Sequence, residues 1–270
     1  MWSRLTRAQG RTSFGVDAAA YDAARPEYPV RIFEILRDRC GLGPGTAAFE
    51  IGAGTGIATR ELLRHGADPV TIVEADPRMV RYLRRTLGRA AGEVTIVPAL
   101  FEKARLPPAA FDLGVSATAF HWMNERRALA KVARLLKPGG WWAAWWNCFG
   151  DPKRPTAFQK AVDHLFEYVP TGPSSQLPGR LPPQLDRPAR EAALRRTGRF
   201  RRIGSTVVRW ELEVPTPRLV ALHATYGVIH ALPVAKRRHF LREIGRVADE
   251  QFGGRVTIRM LTPIYTAQRS

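Results

Sequence analysis

Between Ala47 and Leu62 the chain reads AAFEIGAGTGIATREL: a short apolar run, glycines at alternate positions, then apolar residues at helical spacing. That order prescribes a strand, a turn of bare backbone and a helix whose first N–H groups face a ligand. A nucleotide is the expected occupant, and the glycine spacing narrows which one. The dinucleotide fingerprint G-x-G-x-x-G needs glycine at position 57 counting from Gly52, or at 59 counting from Gly54. Those positions hold Ile57 and Thr59, so the pattern fails in both registers. What stands there is Glu50-Ile51-Gly52-Ala53-Gly54-Thr55-Gly56. A carboxylate two residues before the first glycine would repel a pyrophosphate and suits a ligand with a positively charged amino or sulfonium end.

Further along, short β-branched runs alternate with helical segments. Thr46 to Ile51, Val70 to Glu74, Val94 to Val97, Phe111 to Ser116 and Gly140 to Asn147 read as strands. Ile57 to Arg64, Pro77 to Leu87 and Glu125 to Leu136 read as helices, the last ended by Lys137-Pro138-Gly139-Gly140. This alternation implies βαβ crossovers and a parallel sheet covered on both faces, with ligands at the carboxyl ends of the strands. Thr156 to Tyr168 and Arg187 to Thr197 are expected to be helical. Residues 170 to 183 (PTGPSSQLPGRLPP) read as a mobile loop, Arg202 to Val214 and Arg255 to Gln268 as strands, and Pro217 to Gln251 as a helix in two pieces broken near Pro233.

Composition limits the partners. Lysine and arginine number 42 against 24 aspartate and glutamate, a formal charge of +18 that would suit a phosphate backbone. Only six of the 42 are lysines, and the arginines are spread over every segment, the pattern of solvated helix faces rather than of one binding stripe. No apolar run is long enough to span a membrane, and the first residues lack a signal-peptide core, so the expected location is cytoplasmic. Cys40 and Cys148 are far apart and not in metal spacing; no metal site is expected.

The motif set resembles that of the class I S-adenosylmethionine (AdoMet) dependent methyltransferases, small-molecule type, similar to the group typified by trans-aconitate methyltransferase. The resemblance implies an α/β, Rossmann-like fold: a seven-stranded, mostly parallel sheet with helices on both faces, an antiparallel last strand and a small helical cap at about 217–251. Residues 31–150 would form the AdoMet-binding core, 1–30 a segment covering the cofactor, 151–198 an insertion with the mobile loop, and 199–270 the final strands and cap. Gly52, Ala53, Gly54 and Gly56 look like the family's glycine loop, and Glu50 like its acid near the methionine moiety. Glu74, followed by Ala75, sits where the family keeps the acid for the ribose hydroxyls, with Asp76 a rival; two vicinal hydroxyls present two donors to one carboxylate. Leu100, Phe101 and Glu102 follow the third strand, where adenine would be held by apolar contact and backbone. Tyr21 and Arg25, in a Y-x-x-x-R-P-x-Y-P segment, are one helical turn apart and would both face the cofactor's carboxylate.

Ala117-Thr118-Ala119-Phe120-His121-Trp122 resembles the family's A-F-H-W signature after the fourth strand, placing Thr118 at the cofactor and His121 at the methyl group. Titrating near neutrality, His121 could accept a proton from the acceptor. His223, Tyr226 and His230, three and four apart, would share one helix face and line an acceptor pocket with Trp122 and Trp146. Methyl transfer to a small molecule is the leading expectation, with S-adenosylhomocysteine (AdoHcy) as product. A nucleic-acid (RNA) methyltransferase is a second, weakened because no (D/N)-P-P-(Y/F) motif follows the fourth strand; a non-catalytic AdoMet-binding protein is a third.

Overall fold

The computed structural model describes residues 6, 14–88, 93–173 and 181–270. Its centre is one sheet with strands β1 (Thr46–Ile51), β2 (Ala67–Glu74), β3 (Val94–Pro98), β4 (Phe111–Ala117), β5 (Leu136–Trp145), β6 (Cys148–Phe149), β7 (Phe200–Pro215) and β8 (Arg255–Arg269). The spatial order is β3-β2-β1-β4-β5-β8-β6, with β7 paired to β8. β1 to β5 run parallel and β8 returns antiparallel to β5. Seven long strands thus match the expected sheet; the addition is β6, two residues that continue the β5 edge along β8.

The helices follow from local signals. α1 (Ala18–Ala24) is capped by the Asp17 carboxylate, and α2 (Val30–Cys40) ends at left-handed Gly41. α3 (Ile57–Arg64) begins at Gly56, and α4 (Pro77–Leu87) begins with a proline behind the Asp76 cap. α5 (Glu125–Leu135) starts at Asn124, α6 (Ala157–Val162) carries a Thr156–Gln159 capping box, and α7 (Arg187–Arg195) starts at Asp186. The helix expected from Thr156 to Tyr168 tightens into a 3-10 turn at Asp163–Phe166.

The apolar periodicity sorts the helices onto two faces. α2, α3 and α4 bury Phe33, Leu36, Leu62 and Leu83 against one side of the sheet; α5 and α7 bury Leu129, Val132 and Leu194 against the other. A third cluster lies beyond the sheet, where α6 and the cap helices pack on the distal halves of β7 and β8 through Leu222, Phe240, Ile244 and Ile258. The helix expected over 217–251 is in three pieces, α8 (Thr216–Ala224), α9 (Gly227–His230) and α10 (Val234–Phe252). The extra break, at Thr225 and Tyr226, carries no proline; Thr225 caps α8 and Tyr226 turns extended. Among the described residues no helix is long and apolar enough to cross a membrane. Part of the loop expected to be mobile, residues 174–180, lies outside the described residues, as do residues 1–5 and 7–13 of the N-terminal segment.

Phe49, at the middle of β1, is the hub that brings β1, β4 and β5 together. It packs edge-on to Phe111 at 5.0 Å and stacks towards Trp142 at 6.5 Å. Its ring lies over Gly114 so closely that a Cβ there would be 2.3 Å from Phe49 Cζ. Gly114→Ala is therefore expected to destabilise the sheet by about 1–3 kcal/mol through overpacking. Urea unfolding checks this; an unchanged midpoint would show that the ring yields without strain.

Candidate active site

The carboxyl ends of β1, β2, β4 and β5, the segment after β3, the N-terminal segment and the cap enclose a cavity of about 960 Å³. At one end is the glycine turn, with Gly52 at φ 70° and Gly54 at φ 59°, values that side chains with a Cβ rarely take. This conformation lets the Gly54 N–H donate to Glu74 Oε2 at 2.8 Å, while Glu74 Oε1 accepts from the Asp76 N–H at 2.8 Å. Glu74 is buried at the tip of β2, and burial raises its pKa against the pull of those N–H donors. Its two oxygens keep further lone pairs for ligand donors. The rival Asp76 is committed elsewhere: it caps α4 and is paired with the Arg78 guanidinium at 2.8 Å. Burial works against ionisation of Asp76 too, but the Arg78 bonds and the Gly15 N–H hold its pKa below the usual value.

Gly52, Ala53, Gly54, Ala75, Leu100, Phe101, Glu102 and Thr118 all line the cavity. Gly56 does not; a Cβ there would meet Leu83 Cδ2 at 2.8 Å, so it serves close packing of the turn on α4. Thr118 sits at φ 54°, an uncommon conformation for a β-branched residue. Its Oγ1 accepts from the Tyr28 hydroxyl at 3.0 Å and from the Asn147 N–H at 3.3 Å, and its own N–H donates to Trp145 O at 2.8 Å. Tyr28 belongs to the same Y-x-x-x-R-P-x-Y-P segment as Tyr21 and Arg25, which was signal enough to find it.

That segment is pinned across the mouth of the cavity. Asp22 accepts from Arg60 Nη2 at 3.1 Å and from the Tyr82 hydroxyl at 3.0 Å, tying α1 to α3 and α4. Arg25, just past the end of α1, reaches the cap: its Nη2 donates to Thr225 O at 3.1 Å, and its guanidinium carbon lies 4.9 Å from the Tyr21 ring centre and 5.2 Å from that of Tyr226. Tyr21 and Arg25 both line the cavity as expected, but part of the guanidinium already holds cap and segment together. Arg25 Nε is buried without a hydrogen-bond partner, and so is the hydroxyl of Thr55 in the glycine turn. Buried donors facing a cavity are costly unless a ligand's acceptors satisfy them, so the residues present fit a cofactor that brings a carboxylate and hydroxyls.

Glu50 is 1% exposed and accepts from Thr59 Oγ1 at 2.5 Å. Burial pushes its pKa from near 4.5 to about 7, with the neighbouring Glu74 adding to the rise and the Thr59 bond opposing it. A cationic group placed against it would draw the proton off.

On the acceptor side the structure assembles His121, Trp122, Trp146, His223 and Tyr226 around the same cavity. His230 is not there. The helix break at Thr225 turns α9 away, and half-buried His230 lies outside the lining, so the expected shared face of His223, Tyr226 and His230 does not form. His223 is held by Leu219 O at 2.8 Å, and burial lowers its pKa to about 4, so it stays neutral. The indole N–H of Trp146 donates to His121 Nδ1 at 3.0 Å. An indole only donates, so the neutral imidazole carries its proton on Nε2. His121 therefore presents a donor, which departs from the proton-accepting role read from the sequence.

Two measurements follow from this geometry. Below about pH 4 Glu50 is protonated in both the folded and the unfolded chain; as pH rises towards 7 the unfolded chain ionises first and the fold loses stability, on the order of 3 kcal/mol in all. Glu50→Gln keeps an acceptor for Thr59 and is expected to melt above the parent near pH 8 and level with it near pH 4; equal melting at both would show that Glu50 titrates normally. In nitrogen NMR the neutral His121 ring is expected to show one tautomer, protonated on Nε2, and a tautomer mixture in Trp146→Phe. A mixture in the parent would break the assignment.

A family model described as a methyltransferase domain matches residues 49–144. An uncharacterised methyltransferase-like protein of Schizosaccharomyces pombe is 31% identical over 142 residues, 52% of this chain and 53% of that protein. An uncharacterised methyltransferase of Mycobacterium bovis is 34% identical over 137 residues, covering 50% of this chain and 52% of its own. The chain thus spans about half the length of the curated relatives it matches. Among solved structures, phosphoethanolamine N-methyltransferase 2 of Haemonchus contortus, with phosphomonomethylethanolamine and S-adenosylhomocysteine bound, superposes with a TM-score of 0.57 at 14% identity over 94% of this chain and 57% of that one, a likeness of fold alone. The strand order, the glycine turn and the strand-end acid agree with a methyltransferase domain over residues 49–144.

Proposed function

We propose that this chain transfers a methyl group from AdoMet to a small-molecule acceptor. The observation that carries the reading is the continuity of the cavity, which runs from the glycine turn and Glu74 past Thr118 and His121 into an aromatic compartment under the cap. A volume of about 960 Å³ is at the upper end for a single ligand site and leaves room for a cofactor and a second small molecule together.

When bound, AdoMet supplies a methyl group on a sulfonium, a good leaving group that needs no metal to activate it. The chain's task is alignment and exclusion of water, which supply much of the acceleration in such a displacement. Glu74 is placed to take the ribose hydroxyls, with the turn already fixed by its bond to Gly54. Glu50, Thr55 and Arg25 are placed for the charged amino-acid end. Tyr28 and Asn147 hold Thr118 in its left-handed conformation, which sets the wall between the two halves of the cavity. His121 Nε2–H offers a hydrogen bond to a polar atom of the acceptor, oriented by Trp146.

In this reading residues 31–150 are the cofactor-binding core and 1–30 its cover. Residues 151–198 and the cap at 217–251 build the acceptor compartment. The test is calorimetric titration of the chain with AdoHcy, with NAD as control and Glu74→Ala beside it. Micromolar AdoHcy binding, weakened at least tenfold in the variant and absent for NAD, is the expected outcome. NAD binding without AdoHcy binding would overturn the proposal, and a salt-dependent gel shift on RNA would favour a nucleic-acid acceptor instead.

A further inference from the structure

The cavity as a whole inverts the charge of the molecule. In a chain with 42 basic and 24 acidic residues, the cavity lining among the described residues carries six carboxylates and a single guanidinium, that of Arg25. Four of the carboxylates belong to the cofactor end. The other two, Asp163 and Glu167, are exposed, the first beginning the 3-10 turn after α6 and the second just past its end.

A second observation lies deeper. Gln184 stands on a short 3-10 turn, Pro183–Leu185, and is 5% exposed. Its side-chain Oε1 is buried without a hydrogen-bond partner, and the residue lines the cavity. The turn is firmly placed: Gln184 O accepts from the Tyr265 hydroxyl at 2.8 Å, and the Tyr265 ring packs edge-on to Trp146 at 6.2 Å. Gln184 therefore belongs to the same wall as the Trp146–His121 pair. A buried carbonyl oxygen beside a cavity is a place where a ligand's donor is favoured.

Around these groups the compartment is apolar and aromatic, with Trp122, Trp146, Phe149, Phe158 and Phe166. Aromatic faces and carboxylates both favour a cation, and a bare carbonyl favours an N–H. From this juxtaposition we infer that the acceptor is an amine-bearing, ring-containing small molecule whose N–H is received by Gln184 Oε1, with Asp163 and Glu167 attracting its positive charge. Gln184 is thus the specificity-determining residue, and anionic acceptors, nucleic acid included, are disfavoured by the two exposed carboxylates.

The inference rests on the methyltransferase reading, and the test separates the two. The full chain is saturated with AdoHcy and titrated calorimetrically with two pairs of probes of equal ring and opposite charge: phenethylamine against 3-phenylpropionate, and tryptamine against indole-3-propionate. At least one amine is expected to bind, and at least tenfold tighter than its carboxylate counterpart. Gln184→Met is expected to weaken amine binding about tenfold or more, Gln184→Glu to preserve it, and both to leave AdoHcy affinity unchanged. The Asp163→Asn, Glu167→Gln double variant, on exposed positions that the fold does not need, is expected to narrow the amine preference at least threefold. Failure of AdoHcy to bind the parent would sink the methyltransferase reading. With AdoHcy bound, the present inference is overturned by carboxylates binding as well as amines, by no amine binding, or by amine affinity unchanged in Gln184→Met.

Discussion

The turn after β1 can pass beneath a ligand only because its residues at the left-handed positions lack a Cβ. That freedom lets the Gly54 N–H point at Glu74, whose carboxylate also takes the N–H of Asp76. One side chain thus ties the loop after β1 to the loop after β2, at the place where a parallel sheet leaves strand-end backbone groups without partners. The rest of the site is organised around this staple. α3 and α4 start from the two loops, and the N-terminal segment docks on those helices through Asp22.

A second organising element is the ladder of β7 and β8, the longest pairing in the molecule. Near the sheet it completes the core, with β8 antiparallel to β5. Beyond the sheet its distal half carries a separate apolar cluster on which the cap is built, so the cap is an outgrowth of the same strands that close the core. Arg25 bridges the two parts, stacking on aromatic rings from α1 and from the cap while donating to the cap's backbone. Arg25 thus joins the cover to the cap, while Tyr28 and Asp22 tie the same segment to the core.

The electrostatics separate inside from outside. Arginines dominate the exterior, several of them in ion pairs within one helix, such as Arg195 with Glu191 and Arg246 with Glu250, each contributing little on its own. Two carboxylates buried at the cofactor end of the cavity, Glu50 and Glu74, are held in the interior by hydrogen bonds. Such groups are poorly stabilised without a ligand and are what a cationic cofactor would relieve.

Much of this was legible in the chain as written. β1, α3 and α4 run between the residues read from periodicity, because a proline behind an Asp cap, a glycine turn and β-branched runs act within a few residues. The glycine turn, Glu74 and the A-F-H-W stretch were likewise placed correctly at strand ends. What the tertiary structure alone decided involves partners distant in sequence. The break at Thr225 and Tyr226 carries no proline, and it removed His230 from a face that spacing alone would have given it. The Trp146 indole, 25 residues away, determines which nitrogen of His121 holds the proton. Gln184 follows a Pro- and Gly-rich stretch with no motif to mark it, and only the folded chain buries it in the cavity wall, its backbone held by the Tyr265 hydroxyl. The sequence by itself determined elements whose signals are local; the chemistry of the acceptor side was left to tertiary packing, since burial and an unmet hydrogen bond exist only once distant segments have met.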